Sequence, residues 1–501
     1  MTGGSGGHVE RENSDPTGPG PKTGFATVAA NVGSLLTSNV VNRATSFVVY
    51  AMVASYLGAR ELGQLALAVS LFQIASRLAL LGLRTLITRE IAKDHGHTGT
   101  HLVTASATAM ASSALSLPLI WGFTNVMGYS PETSRVILIL FLGLIPFTLA
   151  QLTEATFVAW NHSKYVAYAN SPIWIAQTIA VLVLLEAGRG VDLVVLSMVV
   201  AYFAIAGVQW LVLIAKITRP SWRVQFRSVP AMLRRAAPFL GIDGLNAVRG
   251  NVSIVLLSLF TGEAGVGIFA AARQLLVPLN LIFEALGAGV FPTMVRRAKM
   301  GIDRLGRLSG RLIELTLALA MPAVAGIFVL AGPLLLLIYR DREFLESVVL
   351  VRILIWVTLA SALTAILGQI LWAGERETTA FRIALTNTLV TVVAALVLIR
   401  QFDAVGAAVA TLIVGSINVL QHYVPTAGMF RRFELASLAW KPAVATAVMA
   451  GWLVVTAEAA LWLRIASGAV IYAAVLFGLY VAAAGGYAGL KEELRSARAE
   501  G

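Results

Sequence analysis

Arginine side chains recur inside apolar stretches of this 501-residue chain; the four that concern us are Arg43, Arg77, Arg249 and Arg273. At the centre of a membrane helix an ionised arginine costs about 2.5–3.5 kcal/mol even on lenient insertion scales, so it must face protein or water. Arginine is permanently charged, and its planar fork can bind two oxygens of one phosphate. We therefore predict a hydrated, cationic cavity that binds a phosphorylated ligand.

Other polar residues share helical faces with these arginines, at spacings such as three, four, seven and eleven residues. Amides that can bind sugar hydroxyl groups are Asn42, Asn246 and Asn280. Carboxylates suited to coupling or to charge pairing are Glu154, Glu284 and Asp243. The alternative to substrate binding is that each arginine pairs with an acid and holds the helices together, for example Arg249 with Glu284.

The sequence shows no motif that is typical of covalent chemistry. There is no cysteine, which excludes a cysteine nucleophile and a thiolate metal site. His97 and His101 are four residues apart with no carboxylate between them, so they do not form an HExxH motif. The acidic residues on the predicted external loops are isolated. We predict no catalytic residue, no metal, no cofactor and no enzyme activity.

The composition predicts a membrane protein. Apolar residues make up 57% of the chain and charged residues 13%, and the mean hydropathy is +0.79. Soluble proteins carry about 25% charged residues, and a soluble chain with this composition could not cover its surface. The net charge of +12 would suggest nucleic acid in a soluble protein. Here the basic residues follow membrane topology, so no nucleic-acid partner is expected.

About fourteen apolar stretches are long enough to cross roughly 30 Å of hydrocarbon. They lie near 26–57, 62–88, 101–123, 135–159, 165–187, 193–216, 237–261, 264–294, 309–338, 347–372, 378–399, 404–424, 439–463 and 465–487. With the N-terminus in the cytosol, most of the 38 lysines and arginines fall on cytosolic segments. The positive-inside rule thus predicts that both termini are cytosolic.

The sequence also contains an internal repeat. LGARELGQLALAVSL (57–71) aligns with TGEAGVGIFAAARQL (261–275) at an offset of 204 residues, which matches Gly58 with Gly262 and Gly63 with Gly267. We predict two parallel six-helix repeats with the substrate site between them.

The predicted fold is an all-α polytopic membrane protein with two lobes and an extra C-terminal helix pair. Its segments are a disordered cytosolic tail (1–24), an N-lobe (25–216), a cytosolic interfacial linker (217–236), a C-lobe (237–430), the extra pair (431–488) and a second cytosolic tail (489–501).

Two motifs carry a family resemblance. YLGARELGQLALAVSLFQIASRLALLGLRTLITREIAK (56–93) and FTGEAGVGIFAAARQL (260–275) resemble the multidrug/oligosaccharidyl-lipid/polysaccharide (MOP) exporter superfamily, and within it the Wzx-type polysaccharide or oligosaccharide flippases. The likeness lies in the glycines at the start of the first motif (Gly58 and Gly63), in the pair Gly82-Leu83 and in the sequence REIA (89–92) at its end. Leu62 departs from it, because the family usually has an aromatic residue there.

The resemblance implies a flippase that moves a polyprenyl-diphosphate-linked oligosaccharide to the outer leaflet of the plasma membrane by alternating access, for cell-surface polysaccharide biosynthesis. The expected partners are that glycan, membrane lipids and a glycan polymerase or assembly machinery, and the expected state is a monomer. Two alternatives stay open. One is a peptidoglycan lipid-precursor flippase, which shares the cationic cavity. The other is a multidrug/cation antiporter of the same superfamily, which usually needs an acidic lumen.

Overall fold

The computed structural model describes residues 25–221, 223–373, 377–429, 435–489 and 491. Most of this part of the chain is helical, and it contains no strand. The predicted tail at 1–24, and the second tail apart from residues 489 and 491, lie outside the described residues.

The first eight helices form what we call the N-terminal half. They are α1 (Phe25–Leu57), α2 (Ala59–Ala79), α3 (Leu83–Lys93), α4 (Thr98–Val126), α5 (Pro131–Leu142), α6 (Leu144–Ala159), α7 (Lys164–Glu186) and α8 (Val191–Lys216). The C-terminal half comprises α9 (Val229–Leu275), α10 (Val277–Lys299), α11 (Ile302–Tyr339), α12 (Ser347–Ala373) and α13 (Glu377–Ala427). The extra pair is α14 (Leu435–Val455) and α15 (Leu461–Ala483).

Twelve helical segments among the described residues are long and apolar enough to cross a membrane. Two of them, Phe226–Leu275 and Arg382–Ala427, contain 50 and 46 residues, whereas one crossing needs about 20. Each is broken by a residue with positive φ, Gly262 at 68° and Asp403 at 50°. Asp403 divides the second segment into two parts that are each long enough to cross, whereas the part of α9 after Gly262 covers only residues 263–275 and completes its crossing together with α10. The resulting number of crossings agrees with the predicted number of about fourteen. The protein is a multi-pass membrane protein.

The predicted repeat is visible in the backbone. Gly58, between α1 and α2, has φ 90°, and Gly262, which divides α9, has φ 68°. Side chains are strained at such positive φ values, so glycine suits both breaks. Gly63 and Gly267 lie one turn further on, where α2 and the second part of α9 cross. Residues 204 positions apart therefore occupy equivalent positions in the two copies, at a helix break and at a helix crossing.

Polar contacts join the two halves at the end of the bundle that carries Ser130, Glu263 and Glu343, which we call the far end. The Glu263 carboxylate accepts hydrogen bonds from Thr133 Oγ1 at 2.7 Å and from Ser130 Oγ at 3.0 Å. The Glu343 carboxylate accepts one from the backbone N–H of Ala59 at 3.2 Å. Carboxylates of the C-terminal half thus hold two helix starts of the N-terminal half.

At the opposite end, which carries Lys93, Lys216 and Arg235 and which we call the basic end, α3 packs on the start of α9. The buried contact includes Leu86 and Met232. Beside it Arg235 lies 3.2 Å from Glu90. The predicted linker at 217–236 therefore passes into helix early, because α9 begins at Val229 and its first turns pack on α3.

The extra pair packs on α11. Tyr480 Oη donates a hydrogen bond to Glu314 Oε1 at 2.7 Å, and Lys441 Nζ lies 3.8 Å from the same oxygen. The buried Arg464 donates a hydrogen bond to the carbonyl oxygen of Leu453 at 2.7 Å. This bond gives a carbonyl group in the last turn of α14 a hydrogen-bond partner. The pair is thus attached by specific polar bonds as well as by apolar contact.

Candidate functional site

Arg273 marks an internal cavity. Its helical neighbours Ala271, Ala272 and Leu275 are buried, yet more than a third of the surface of Arg273 is exposed. An ionised side chain at membrane depth must face protein or water rather than lipid, so the exposed side of Arg273 belongs to a hydrated space. Tyr50 on α1 lies within electrostatic reach of the guanidinium. Since Arg273 belongs to α9 and Tyr50 to α1, the space lies between the two halves.

Arg43 and Glu284 form a two-pronged salt bridge across that space. Nη1 of Arg43 lies 3.1 Å from Oε1 of Glu284, and Nη2 lies 3.0 Å from Oε2. The bridge joins α1 to α10, between residues 241 positions apart in the chain. The two side chains remain 45% and 56% exposed. Exposed charges at membrane depth must face water, so this bridge lies in the cavity.

Arg77 on α2 occupies a second polar region nearer the basic end. It is half-buried and interacts electrostatically with Asp243 of α9, with Glu154 of α6 and with Arg84 of α3. Asp243 belongs to the C-terminal half, so this interaction also spans the two halves. The structure thus brings three predicted site residues, Arg77, Glu154 and Asp243, into one region.

Glu154 is the centre of a buried polar network inside the N-terminal half. Asn170 Nδ2 donates to its Oε1 at 2.8 Å, and Gln209 Nε2 donates to the same oxygen at 3.2 Å. Gln151 Nε2 lies 3.4 Å from Oε2, and Arg84 lies 3.8 Å from it. The Glu154 carboxylate is thus surrounded by amide donors and by the guanidinium of Arg84. The geometry favours charge pairing over coupling.

Arg249 does not pair with Glu284, so the pairing suggested by the sequence is wrong. Glu284 instead forms a salt bridge with Arg43, because α10 contacts α1. Arg249 is half-buried, and its Nε has no hydrogen-bond partner among the described residues. Its electrostatic neighbour is His422, whose Nδ1 lies 2.8 Å from the carbonyl oxygen of Asn418. Arg249 is therefore available to a ligand.

The three predicted amides differ in exposure. Asn246 is exposed, whereas Asn42 and Asn280 are half-buried. The side-chain oxygen of Asn280 is buried without a hydrogen-bond partner in the part of the chain that the structure describes. No described side-chain contact joins these amides to each other or to the four arginines. Whether they contact substrate stays a prediction.

Sequence reasoning missed several polar residues at the site, namely Tyr50, Asn170, Gln209, Asn418 and His422. Each lies in a predominantly apolar helix, some of them beside another polar residue, as Asn170 is beside Ser171. A search for polar residues inside spans would have found them, but not their partners. Across the described site arginines outnumber carboxylates, which favours an anionic ligand.

Comparison with known proteins gives a family match over more than half of the chain. Residues 28–297 match the family described as "Polysaccharide biosynthesis protein". This range contains all four cavity arginines and Glu284. The succinoglycan biosynthesis transport protein ExoT of Rhizobium meliloti (strain 1021) is 23% identical over 331 residues. That alignment spans 64% of this chain and 64% of the relative, which is less than two thirds of its length.

Solved structures share the fold. The lipid II flippase MurJ, in an inward closed conformation, has a TM-score of 0.77 at 14% identity, over 88% of this chain and 98% of that chain. An inward-facing multidrug resistance MATE family transporter of the MOP superfamily has a TM-score of 0.63 at 13% identity, over 79% and 98% of the two chains. The predicted MOP-type helical fold is confirmed.

Proposed function

Because the chain belongs to the polysaccharide biosynthesis protein family, we propose that it is a flippase that moves a polyprenyl-diphosphate-linked oligosaccharide from the inner to the outer leaflet of the plasma membrane. One observation carries this proposal. Arg273 is exposed on a membrane helix and lies within electrostatic reach of Tyr50 on α1, the helix of the other half that also carries Arg43. A cationic cavity between two halves suits an anionic head group.

The diphosphate would bind the arginines. Charge-assisted hydrogen bonds from a guanidinium fork hold two phosphate oxygens at once. Asn42, Asn246 and Asn280 would bind sugar hydroxyl groups. No bond is made or broken, so the protein acts as a transporter and needs no catalytic residue. The halves would rock about their contact, open alternately at the basic end and at the far end, and release the head group outside.

The lipid tail would lie in an apolar cavity beside the extra pair. This cavity has a volume of about 540 Å³ and lies between α11, α14 and α15; its lining includes Leu275, Pro322, Gly326 and Ile465. Leu275 lies two residues after Arg273, so the apolar cavity reaches the helix that carries Arg273, on a different side of that helix. An isoprenoid chain buried there would leave its diphosphate near Arg273.

In this proposal the basic end faces the cytosol, together with both termini, because basic residues stay on the cytosolic side. The whole protein would act as a monomer and receive its substrate from the enzymes that assemble lipid-linked glycans. A glycan polymerase or assembly machinery would take up the product on the outer face.

Deletion of the gene tests the function. We expect a polyprenyl-diphosphate oligosaccharide to accumulate on the cytosolic face, and its analysis would identify the glycan. Export should return with the wild-type gene but not with the Arg43→Ala/Arg249→Ala double variant at matched protein level. Normal export by that variant would contradict the proposed cavity.

A peptidoglycan lipid precursor is the second candidate substrate. The similarity of the fold to a lipid II flippase favours it, and such a precursor carries the same diphosphate. The accumulating lipid distinguishes the two candidates. Altered drug efflux without any accumulating lipid would instead indicate the antiporter branch, which the excess of arginine disfavours.

A further inference from the structure

Arg43 differs from the other cavity arginines because, among the described residues, it forms a salt bridge with a carboxylate. Among the described residues, Arg77, Arg249 and Arg273 form no salt bridge with an acid. Arg43 instead presents both terminal nitrogens to both oxygens of Glu284, at 3.1 and 3.0 Å. This is the arrangement in which a guanidinium binds two oxygens of a phosphate. Glu284 therefore fills the position that a phosphate would take.

We propose that Glu284 is a displaceable stand-in for the substrate's phosphate, and that the diphosphate takes Arg43 from it during binding. This inference rests on the proposed function. Displacement is feasible because both side chains are about half exposed and can be reached from the cavity. Exposed ion pairs are weak, so a diphosphate with more negative charge than one carboxylate can compete for Arg43.

Displacement would have a mechanical consequence. The bridge ties α1 of the N-terminal half to α10 of the C-terminal half. When the diphosphate takes Arg43, that direct tie is broken and the substrate itself links the halves. Glu284 is thus a positioning residue: it holds α10 against α1 while the cavity is empty and releases it on binding. The empty and loaded proteins would then differ in how firmly the halves are joined.

Binding measurements on the full-length protein in lipid nanodiscs test this inference, with farnesyl diphosphate, a short polyprenyl diphosphate without sugar, as the probe. Removing the competing carboxylate in Glu284→Gln should tighten binding about threefold to fivefold at low salt. Asp192→Asn is the matched control, because Asp192 pairs with Arg135 at 3.3 Å outside the cavity, and its affinity should equal that of wild type.

A second variant separates the bridge from a general charge effect. Glu284→Asp keeps the negative charge but is one methylene too short for the two-pronged contact. If the bridge itself is displaced, this variant should bind the probe more tightly than wild type, as Glu284→Gln does. Wild-type affinity in Glu284→Asp would overturn the proposal, because probe binding would then depend on the negative charge at this position and not on the two-pronged bridge to Arg43.

The outcomes also separate this inference from the proposed function. Unchanged or weaker binding in Glu284→Gln, with binding still lost in Arg43→Ala, would overturn the stand-in role and leave the flippase intact. Binding that does not depend on Arg43 at all would count against both.

Discussion

Gly63 and Gly267 contact the opposite half of the protein in the same way. A Cβ atom added to Gly63 would overlap the backbone carbonyl oxygen of Glu263, and one added to Gly267 would overlap that of Ala59. Glu263 lies 204 residues after Ala59, and Gly267 lies 204 after Gly63. The two contacts are therefore related by the internal repeat, and the helices cross at backbone distance. Small residues at helix crossings permit such close packing in membranes.

Gly63→Ala and Gly267→Ala should each destabilise the folded protein strongly. The added methyl meets backbone rather than a flexible side chain, so the helices must separate, and overpacking costs about 1–3 kcal/mol or more. The thermal midpoint in detergent would measure the loss. Gly207→Ala is the matched control, because a Cβ there meets no atom within 4 Å. A midpoint for Gly63→Ala equal to that of the control would contradict the close crossing.

The glycine pairs could be predicted from the sequence, because their spacing is identical in the two copies. The arginines inside apolar spans could also be predicted, because a charge inside such a span is costly enough to mark it. Both signals lie within single helices. They identify the helices that line a cavity without needing the fold.

The partners of these charges could not be predicted in the same way. Helical spacing shows which residues share a face, but not which helix that face meets. The sequence alone permits Arg249 as a partner of Glu284, whereas the fold places Glu284 against Arg43. The network around Glu154 also needed the fold, because Asn170 and Gln209 converge on it from two different helices.

Arg273→Lys should lower glycan export about tenfold or more, and Arg273→Met should abolish it. Lysine keeps the charge but loses the fork, and one charge-assisted hydrogen bond contributes about 1.5–3 kcal/mol. Export would be measured in the deletion strain at matched protein level. Arg135→Lys is the control, since Arg135 pairs with Asp192 outside the cavity. Equal export by Arg273→Lys and wild type would exclude a two-pronged contact at this position.

Glu154→Leu should cost about 1–3 kcal/mol of stability, because it leaves Asn170 Nδ2 without its acceptor and Arg84 without its nearby carboxylate, whereas Gln209 Nε2 still donates to Asn170 Oδ1. Glu154→Gln can still accept a hydrogen bond and should be destabilised less. If Glu154 is a charge-pairing residue, Glu154→Gln should export glycan in proportion to its folded amount. A well-folded Glu154→Gln protein without export would assign Glu154 to coupling instead.

The contact between Glu90 and Arg235 at the basic end should weaken in acid. Burial by itself would raise the pKa of Glu90, but the charges and hydrogen bonds of Arg235 and Lys93 outweigh burial and lower that pKa below its ordinary value of 4.5. A carboxyl with a lowered folded pKa contributes its full stability above the ordinary value. That contribution is lost as pH falls through the lowered pKa.

Comparison of Glu90→Gln with wild type would measure this dependence. Near neutral pH the variant should be less stable by up to about 1 kcal/mol, the usual upper value for an exposed ion pair. Well below pH 4.5 the difference should disappear, because Glu90 is then protonated in the wild type as well. A difference that persists in strong acid would show that Glu90 contributes through something other than its charge.

Tyr480→Phe should loosen the extra helix pair without affecting the cavity. It removes the 2.7 Å hydrogen bond to Glu314 and leaves Lys441, at 3.8 Å, as the nearest described partner of that carboxylate. Losing one such bond to a charged group costs about 1.5–3 kcal/mol. Thermal unfolding in detergent would measure the cost, and Tyr487→Phe, at an exposed tyrosine, is the control. Tyr480 contacts Glu314 of α11 and Lys441 of α14, and neither residue belongs to the cationic cavity. Binding of inorganic diphosphate, which has no lipid tail, should therefore stay at the wild-type level. Weaker binding of inorganic diphosphate by Tyr480→Phe would indicate that the extra pair shapes the cationic cavity itself.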